Sequence, residues 1–223
     1  MGKVEIAFIH GFASAPSGNK ATYFSSKLRD KGFVVHVPDM NGENFSDLTI
    51  TGQLKIIERV LREAANSEFL LVGSSMGGLV STLAANRFPA IRALVLLAPA
   101  FGLQKRWHER VGAEGMKQWR EHGSKEVEHY AYERKMSLNY SFIEDAEQYD
   151  TTDLKVSVPT LLIHGTKDDV VPIAVSEHFQ ELNPHLVEFH RIDSDHGLLD
   201  CLPQLLSLTV AFMNIDGSAV TTV

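Results

Sequence analysis

Phe69-Leu70-Leu71-Val72-Gly73-Ser74-Ser75-Met76-Gly77-Gly78 is an apolar, strand-forming run that enters Gly-x-Ser-x-Gly, and a helix-forming stretch, Leu79 to Asn86, follows at once. A sharp strand-to-helix turn of this kind holds its serine in a strained backbone conformation, which small residues at 73 and 77 make sterically possible. Ser75 Oγ then projects above the sheet. The helix start beneath it supplies unsatisfied N–H groups and a positive dipole end, which favour negative charge on an attacked carbonyl. A glycine-rich turn with an ordinary serine would carry the same letters; the flanking strand and helix separate the two.

Working outward, short apolar runs recur at Val4 to Ile9, Val34 to Val37, Ala93 to Leu97, Thr160 to Ile163 and Val187 to Ile192, with amphipathic segments between them. That alternation implies an α/β fold, a mostly parallel sheet of about six strands with helices on both faces. The helices are expected near Tyr23 to Lys31, Thr51 to Asn66, Met76 to Arg87, Ile173 to Leu182 and Leu202 to Met213. In Thr51 to Asn66, Leu54, Ile57, Val60, Leu61 and Ala64 mark one apolar stripe, and Gln53, Lys55, Glu58 and Arg59 belong to the polar remainder. The alternation breaks once, between Ala100 and Lys155, in a stretch holding Trp107, Trp119, Tyr130, Tyr132, Tyr140 and Phe142. It is too long and too aromatic for a linker, so residues 1–100 and 155–215 are expected to form one core domain and 101–154 a cap or lid insertion. Within the insertion, Val127, His129 and Ala131 alternate with charged and aromatic neighbours, which suggests a hairpin, with a helix after it near Tyr140 to Tyr149. Residues 216–223 read as a flexible tail.

With 44% hydrophobic and 22% charged residues, the 223-residue chain has the composition of a compact globular protein. A formal charge of -7 and the lack of a basic run argue against nucleic acid or an anionic membrane as partner. No stretch reaches the roughly 20 apolar residues of a bilayer span, and no signal peptide is visible. Cys201, the single cysteine, can form no intrachain disulfide, so a cytoplasmic location is expected. Oligomeric state leaves no mark in the sequence.

A second strand, Ile6 to Ile9, ends in His10-Gly11-Phe12. If both strands are central and parallel, its loop runs beside the serine turn, and the N–H groups of Phe12 and Met76 can form an oxyanion hole. His10 is a rival for the catalytic base, but a histidine held at a strand end is more often a structural hydrogen-bonding residue.

His10-Gly11-Phe12, Gly73-Ser74-Ser75-Met76-Gly77, Gly165-Thr166-Lys167-Asp168-Asp169-Val170-Val171-Pro172 and Asp195-His196-Gly197 together resemble the signature positions of the α/β-hydrolase superfamily, in that family's order and over nearly the whole chain. The sequence is also similar to small serine esterases and acyl-protein thioesterases, including the segment Leu138-Asn139-Tyr140-Ser141-Phe142. The resemblance implies the α/β-hydrolase fold, a nucleophile at Ser75, a base at His196 and an orienting acid at Asp168, with Asp169 as the neighbouring alternative. His196 lies in a polar turn after the last strand, placed to bond Ser75 and activate an otherwise poor nucleophile. His164 and the remaining histidines read as surface or structural residues. No spaced ligand set for a metal accompanies His196, and neither cofactor nor metal is implied. The expected function is hydrolysis of a small-molecule carboxylic ester or thioester through an acyl-enzyme. Acyl transfer, C–C bond hydrolysis and a non-catalytic ligand-binding protein are the competing readings.

Overall fold

The computed structural model describes residues 3–149 and 151–215. Along the chain come β1 (Val4–Ile9), α1 (Asn19–Arg29), β2 (Val35–His36), a 3₁₀ turn (Phe45–Asp47), α2 (Ile50–Glu63), β3 (Glu68–Ser74), α3 (Met76–Ala85) and β4 (Ile91–Leu97). Then follow α4 (Leu103–His122), β5 (Ser124–His129), β6 (Arg134–Asn139), α5 (Ser141–Ala146), β7 (Thr160–Gly165), α6 (Ala174–Leu182), β8 (Val187–Ile192) and α7 (Leu202–Ile215). Six strands make one parallel sheet in the order β2-β1-β3-β4-β7-β8, as the alternating pattern leads one to expect. The expected tail, 216–223, lies outside the described residues.

Alternation along each central strand divides the core in two. Ala7 and Ile9 of β1, Phe69 and Leu71 of β3, and Leu94 and Leu96 of β4 face one side, with Leu54 and Ile57 of α2 and Leu79 and Val80 of α3. Ile6 and Phe8, Leu70 and Val72, and Val95 and Leu97 face the other, with Phe24 and Leu28 of α1 and Leu205 of α7. The period of two is therefore written on both faces. Each such side chain contributes about 1.5–3 kcal/mol by leaving water.

Thr49 caps α2, its side chain accepting from the Gly52 N–H at 2.9 Å. Gln53, expected on the polar face of this helix, is instead buried and donates Nε2–H to Met40 O at 3.0 Å. The loop before α2 folds over that position, a tertiary effect that helical period does not encode.

Between β4 and β7 the chain forms α4, β5, β6 and α5, with β5 and β6 in a second, two-stranded sheet. The sequence suggests only a hairpin and one helix there; the structure adds α4, split at Gly112 (φ 72°, ψ 163°). Only Leu103, Met116 and Trp119 of its 20 residues are buried, too sparse a stripe for periodicity to reveal. The hairpin pairs β5 with β6 antiparallel, Ser124 opposite Asn139 and His129 opposite Arg134, and Ala131 falls in the turn rather than in a strand. The insert is bound to the rest: Thr51 N–H donates to Asp145 Oδ2 (2.9 Å) and Asn139 Nδ2 to Asp47 Oδ1 (2.8 Å). Among the described residues, no helix is long and apolar enough to cross a membrane.

Candidate active site

Strand register sets the position of every group considered below. Ile9 lies opposite Gly73, Ser74 opposite Leu97, and Gly165 opposite Ile192, so the loops after β1, β3, β7 and β8 leave the sheet along one edge. In an open parallel sheet that edge is where ligands bind.

Ser75 stands between β3 and α3 with φ 53° and ψ -120°, a conformation that costs a non-glycine residue about 1–3 kcal/mol. Its N–H donates to Leu97 O (2.9 Å) and its carbonyl accepts from Gly78 (2.9 Å) and Ala100 (2.9 Å), bonds that hold the strained peptide in place. The flanking glycines are required by close approach. A Cβ on Gly77 would fall 2.1 Å from Ile9 O, and one on Gly73 would fall 2.6 Å from Gly77 O. Gly77→Ala must therefore push α3 off β1, and urea denaturation should show a stability loss of about 3 kcal/mol or more, the upper range for overpacking. A loss below about 0.5 kcal/mol would mean that the crossing is not so tight.

His196 follows β8. Its Nε2 lies 3.0 Å from Ser75 Oγ and its Nδ1 lies 2.7 Å from Asp168 Oδ2. Because a carboxylate only accepts, Nδ1 carries the proton and Nε2 is left to accept from the serine hydroxyl. Asp168, in the turn after β7, has a fully buried side chain with four donors on it. Val170 N–H (2.9 Å) and Val171 N–H (2.7 Å) reach Oδ1, while His196 and His164 Nε2–H (2.9 Å) reach Oδ2. Burial alone would raise its pKa, but the hydrogen bonds from His164, His196 and Val171, with the nearby imidazole charge, outweigh it and hold the carboxyl well below the usual range. Asp169 is exposed at the cavity mouth and makes no bond to His196.

His164, read from the sequence as a surface or structural residue, is a buried structural one placed against Asp168. It is fully buried, takes the Ser176 hydroxyl on Nδ1 (2.7 Å) and sets Nε2–H against Asp168 Oδ2 and Val171 O (2.9 Å). The available signal was its place at a strand end, four residues before Asp168. His10 has both nitrogens occupied away from Ser75: Nδ1–H donates to Gly11 O (3.0 Å) and Nε2 accepts from Met40 N–H (2.9 Å). Burial lowers its pKa, against the Gly11 bond and the nearby Asp39, and so keeps the ring neutral.

Phe12 lies in the loop after β1 and Met76 is the first residue of α3; among the described residues neither N–H has a hydrogen-bond acceptor. Gly11 lets the Phe12 loop come close to the serine, since a Cβ there would sit 3.1 Å from Ser75 Cβ. Ser75, His196, Gly11 and Phe12 face a cavity of about 890 Å³, closed from the insert by Trp107, Val111, Val127 and Tyr130. A smaller cavity of about 410 Å³ adjoins it, with half-buried Lys20 in the shared wall; burial pushes this ammonium's pKa down to about 8, against the opposing pull of Asp168 and Asp195. Trp119 is buried in the insert and donates Nε1–H to Leu138 O (2.9 Å). Among the described residues, no cluster of three or more His, Cys, Asp or Glu side chains is placed to hold a metal ion.

Residues 5–213 match the model of a family described as Uncharacterised protein family (UPF0227). The chain belongs to that family. It is 30% identical over 177 residues to mouse "Palmitoyl-protein thioesterase ABHD10, mitochondrial", a match covering 75% of this chain and 59% of the relative, so the UPF0227 chain aligns with less than two thirds of the relative's length. The crystal structure of a putative hydrolase from Agrobacterium vitis S4 superposes with a TM-score of 0.83 at 22% identity, covering 94% of this chain and 88% of that one. Mouse alpha/beta hydrolase domain-containing protein 10 gives 0.80 at 26% identity, with 98% and 92% covered. This UPF0227 protein has the α/β-hydrolase fold and is a member of that superfamily.

Proposed function

We propose that this UPF0227 member is a serine hydrolase that cleaves a carboxylic ester or thioester through an acyl-enzyme on Ser75. The observation that carries the reading is the unbroken hydrogen-bond chain from Ser75 Oγ through His196 to Asp168, at 3.0 and 2.7 Å, built on a strained elbow beside two unpaired N–H groups. His196 Nε2 takes the hydroxyl proton as Oγ attacks the acyl carbon, and Asp168 steadies the imidazolium that results. The N–H groups of Phe12 and Met76 face the developing oxyanion. His196 then returns the proton to the leaving oxygen or sulfur, and a water activated by the same imidazole releases the acid. The cavity volume falls inside the usual range of small-molecule sites, roughly 300–1,000 Å³. Residues 101–154 act as a cap on the core of 1–100 and 155–215. The name of the mouse relative favours a long-chain thioester among the candidate substrates. We propose a cytoplasmic location because the single thiol needs no oxidising compartment, whereas the relative's name gives that protein as mitochondrial.

A fluorophosphonate probe tests the reading. Wild-type protein should be labelled stoichiometrically, with the tag on the Ser75 peptide, and prior labelling should stop the hydrolysis of p-nitrophenyl esters and acyl-CoA thioesters alike. Labelling elsewhere, or hydrolysis that survives full labelling, would rule the mechanism out. Acyl transfer to an added alcohol in preference to water would turn the same acyl-enzyme into that of a transferase.

A further inference from the structure

The loop that carries the Phe12 N–H packs against the insert as well as the core. The Phe12 ring packs between Phe45 of the 3₁₀ turn (5.5 Å between centroids), Trp107 of α4 (5.6 Å) and Phe142 of α5 (5.8 Å). Trp107 in turn touches Phe142 (5.6 Å) and Trp119 (5.4 Å), and Trp119 is tied to β6 through its bond to Leu138 O. From the hairpin tip, Ala131 N–H donates to Ala13 O at 3.3 Å. Ala13 itself is fully buried at φ 51°, a left-handed conformation that an alanine keeps only where its surroundings leave it no alternative. Helix α4, helix α5 and the hairpin therefore all converge on residues 12 and 13.

From this convergence we infer that Trp107 and Phe142 are positioning residues: acting through the Phe12 ring, they set where its N–H stands relative to the carbonyl oxygen under attack. This rests on the oxyanion role given to Phe12 above. The insert is then part of the catalytic apparatus as well as a cover. Aromatic clusters are more often simple packing, and the oxyanion role proposed for Phe12 together with one observation sets this one apart. Its terminal ring belongs to the residue whose amide faces the reaction, and Phe142 is completely buried and no part of the cavity wall, so it has no direct way to touch substrate.

Loss of one oxyanion donor costs about 10²–10³-fold in kcat, and a 1 Å misplacement costs up to about 10²-fold. Phe142→Leu and Trp107→Leu should therefore lower kcat by about 10- to 100-fold, with KM within about twofold of wild type. The loss should be equal for p-nitrophenyl acetate and p-nitrophenyl octanoate, because a misplaced amide is indifferent to acyl length. Affinity for a methyl trifluoromethyl ketone, which forms a tetrahedral adduct on the serine, should fall by the same factor as kcat. Trp107→Phe, which keeps an aromatic face against Phe12, should recover most of the activity. Circular dichroism melts and active-site titration restrict the comparison to folded enzyme; if Phe142→Leu does not fold, Trp107→Leu and Trp107→Phe still decide. Losses that depend on acyl length and appear in KM would mean that Trp107 acts through direct contact with the acyl group from the cavity wall, and would overturn the proposal. So would full kcat in folded Phe142→Leu alongside a Ser75→Ala variant that is dead, a result that leaves the serine mechanism standing. A wild-type protein without Ser75-dependent turnover would remove the oxyanion reading and this inference together.

Discussion

Ser75→Ala is expected to reduce kcat for ester hydrolysis by about 10⁶-fold while leaving the melting temperature within a few degrees of wild type. The two halves of that expectation have separate grounds. The side chain's only recorded bond among the described residues is the 3.0 Å contact with His196, so its removal unmakes no structural bond. The strain at φ 53° resides in the backbone and is resisted by the Leu97, Gly78 and Ala100 bonds, which alanine keeps. The chemistry, by contrast, has no substitute: without Oγ there is no acyl-enzyme, and what remains is a water held near an oxyanion site. His196→Ala should be comparably inactive, because triad members act as a unit. Ser74→Ala serves as the control, since Ser74 ends β3 opposite Leu97 and should keep activity within about tenfold. Saturating p-nitrophenyl butyrate and a thermal melt measure both quantities. Residual activity of Ser75→Ala within tenfold of wild type would end the assignment.

Sequence pattern located β1 and β8 to the residue, because each is a compact apolar or alternating run bounded by breakers. It singled out Ser75 by its strand–turn–helix setting and His196 by the resemblance of Asp195-His196-Gly197 to a family signature, and the structure sets the two side chains 3.0 Å apart. What it could not see depends on contacts between distant segments. β2 is only Val35–His36 and is held from outside, by bonds such as Ile6 N–H to Val34 O, so its length was not written in its own residues. Helix α4 escaped because Gly112 and a crowd of charged residues hide three buried positions. His164 looks like any histidine at a strand end until folding brings Ser176 and Asp168 to its two nitrogens. The insert's aromatics could be counted in advance. That Trp107 faces the cavity while Trp119 turns inward to Leu138 is a matter of packing, which composition does not fix.

Asp168→Asn should cut kcat by about 10⁴-fold, and Asp169→Asn by no more than about threefold. The geometry explains why so small a change is so costly. Oδ1 is committed to the N–H groups of Val170 and Val171, so an asparagine at 168 would keep its carbonyl there and present its NH₂ where Oδ2 now stands. Two imidazoles, His196 Nδ1 and His164 Nε2, currently donate to that atom. Faced with a donor, His196 must move its proton to Nε2, which then points N–H at Ser75 Oγ and can no longer accept the hydroxyl proton. The base is lost through the tautomer, with every heavy atom close to its place. The same site makes a second, independent measurement. Because the folded carboxyl lies well below its ordinary value, near 4, its contribution to stability is complete above that pH and is lost as pH falls further. Between pH 5 and 3, urea midpoints of wild type should therefore decline more steeply than those of Asp168→Asn. If Asp169→Asn proved the inactive variant, the acid would be the exposed neighbour and the turn after β7 would have to be arranged differently, with Ser75 and His196 still in their roles.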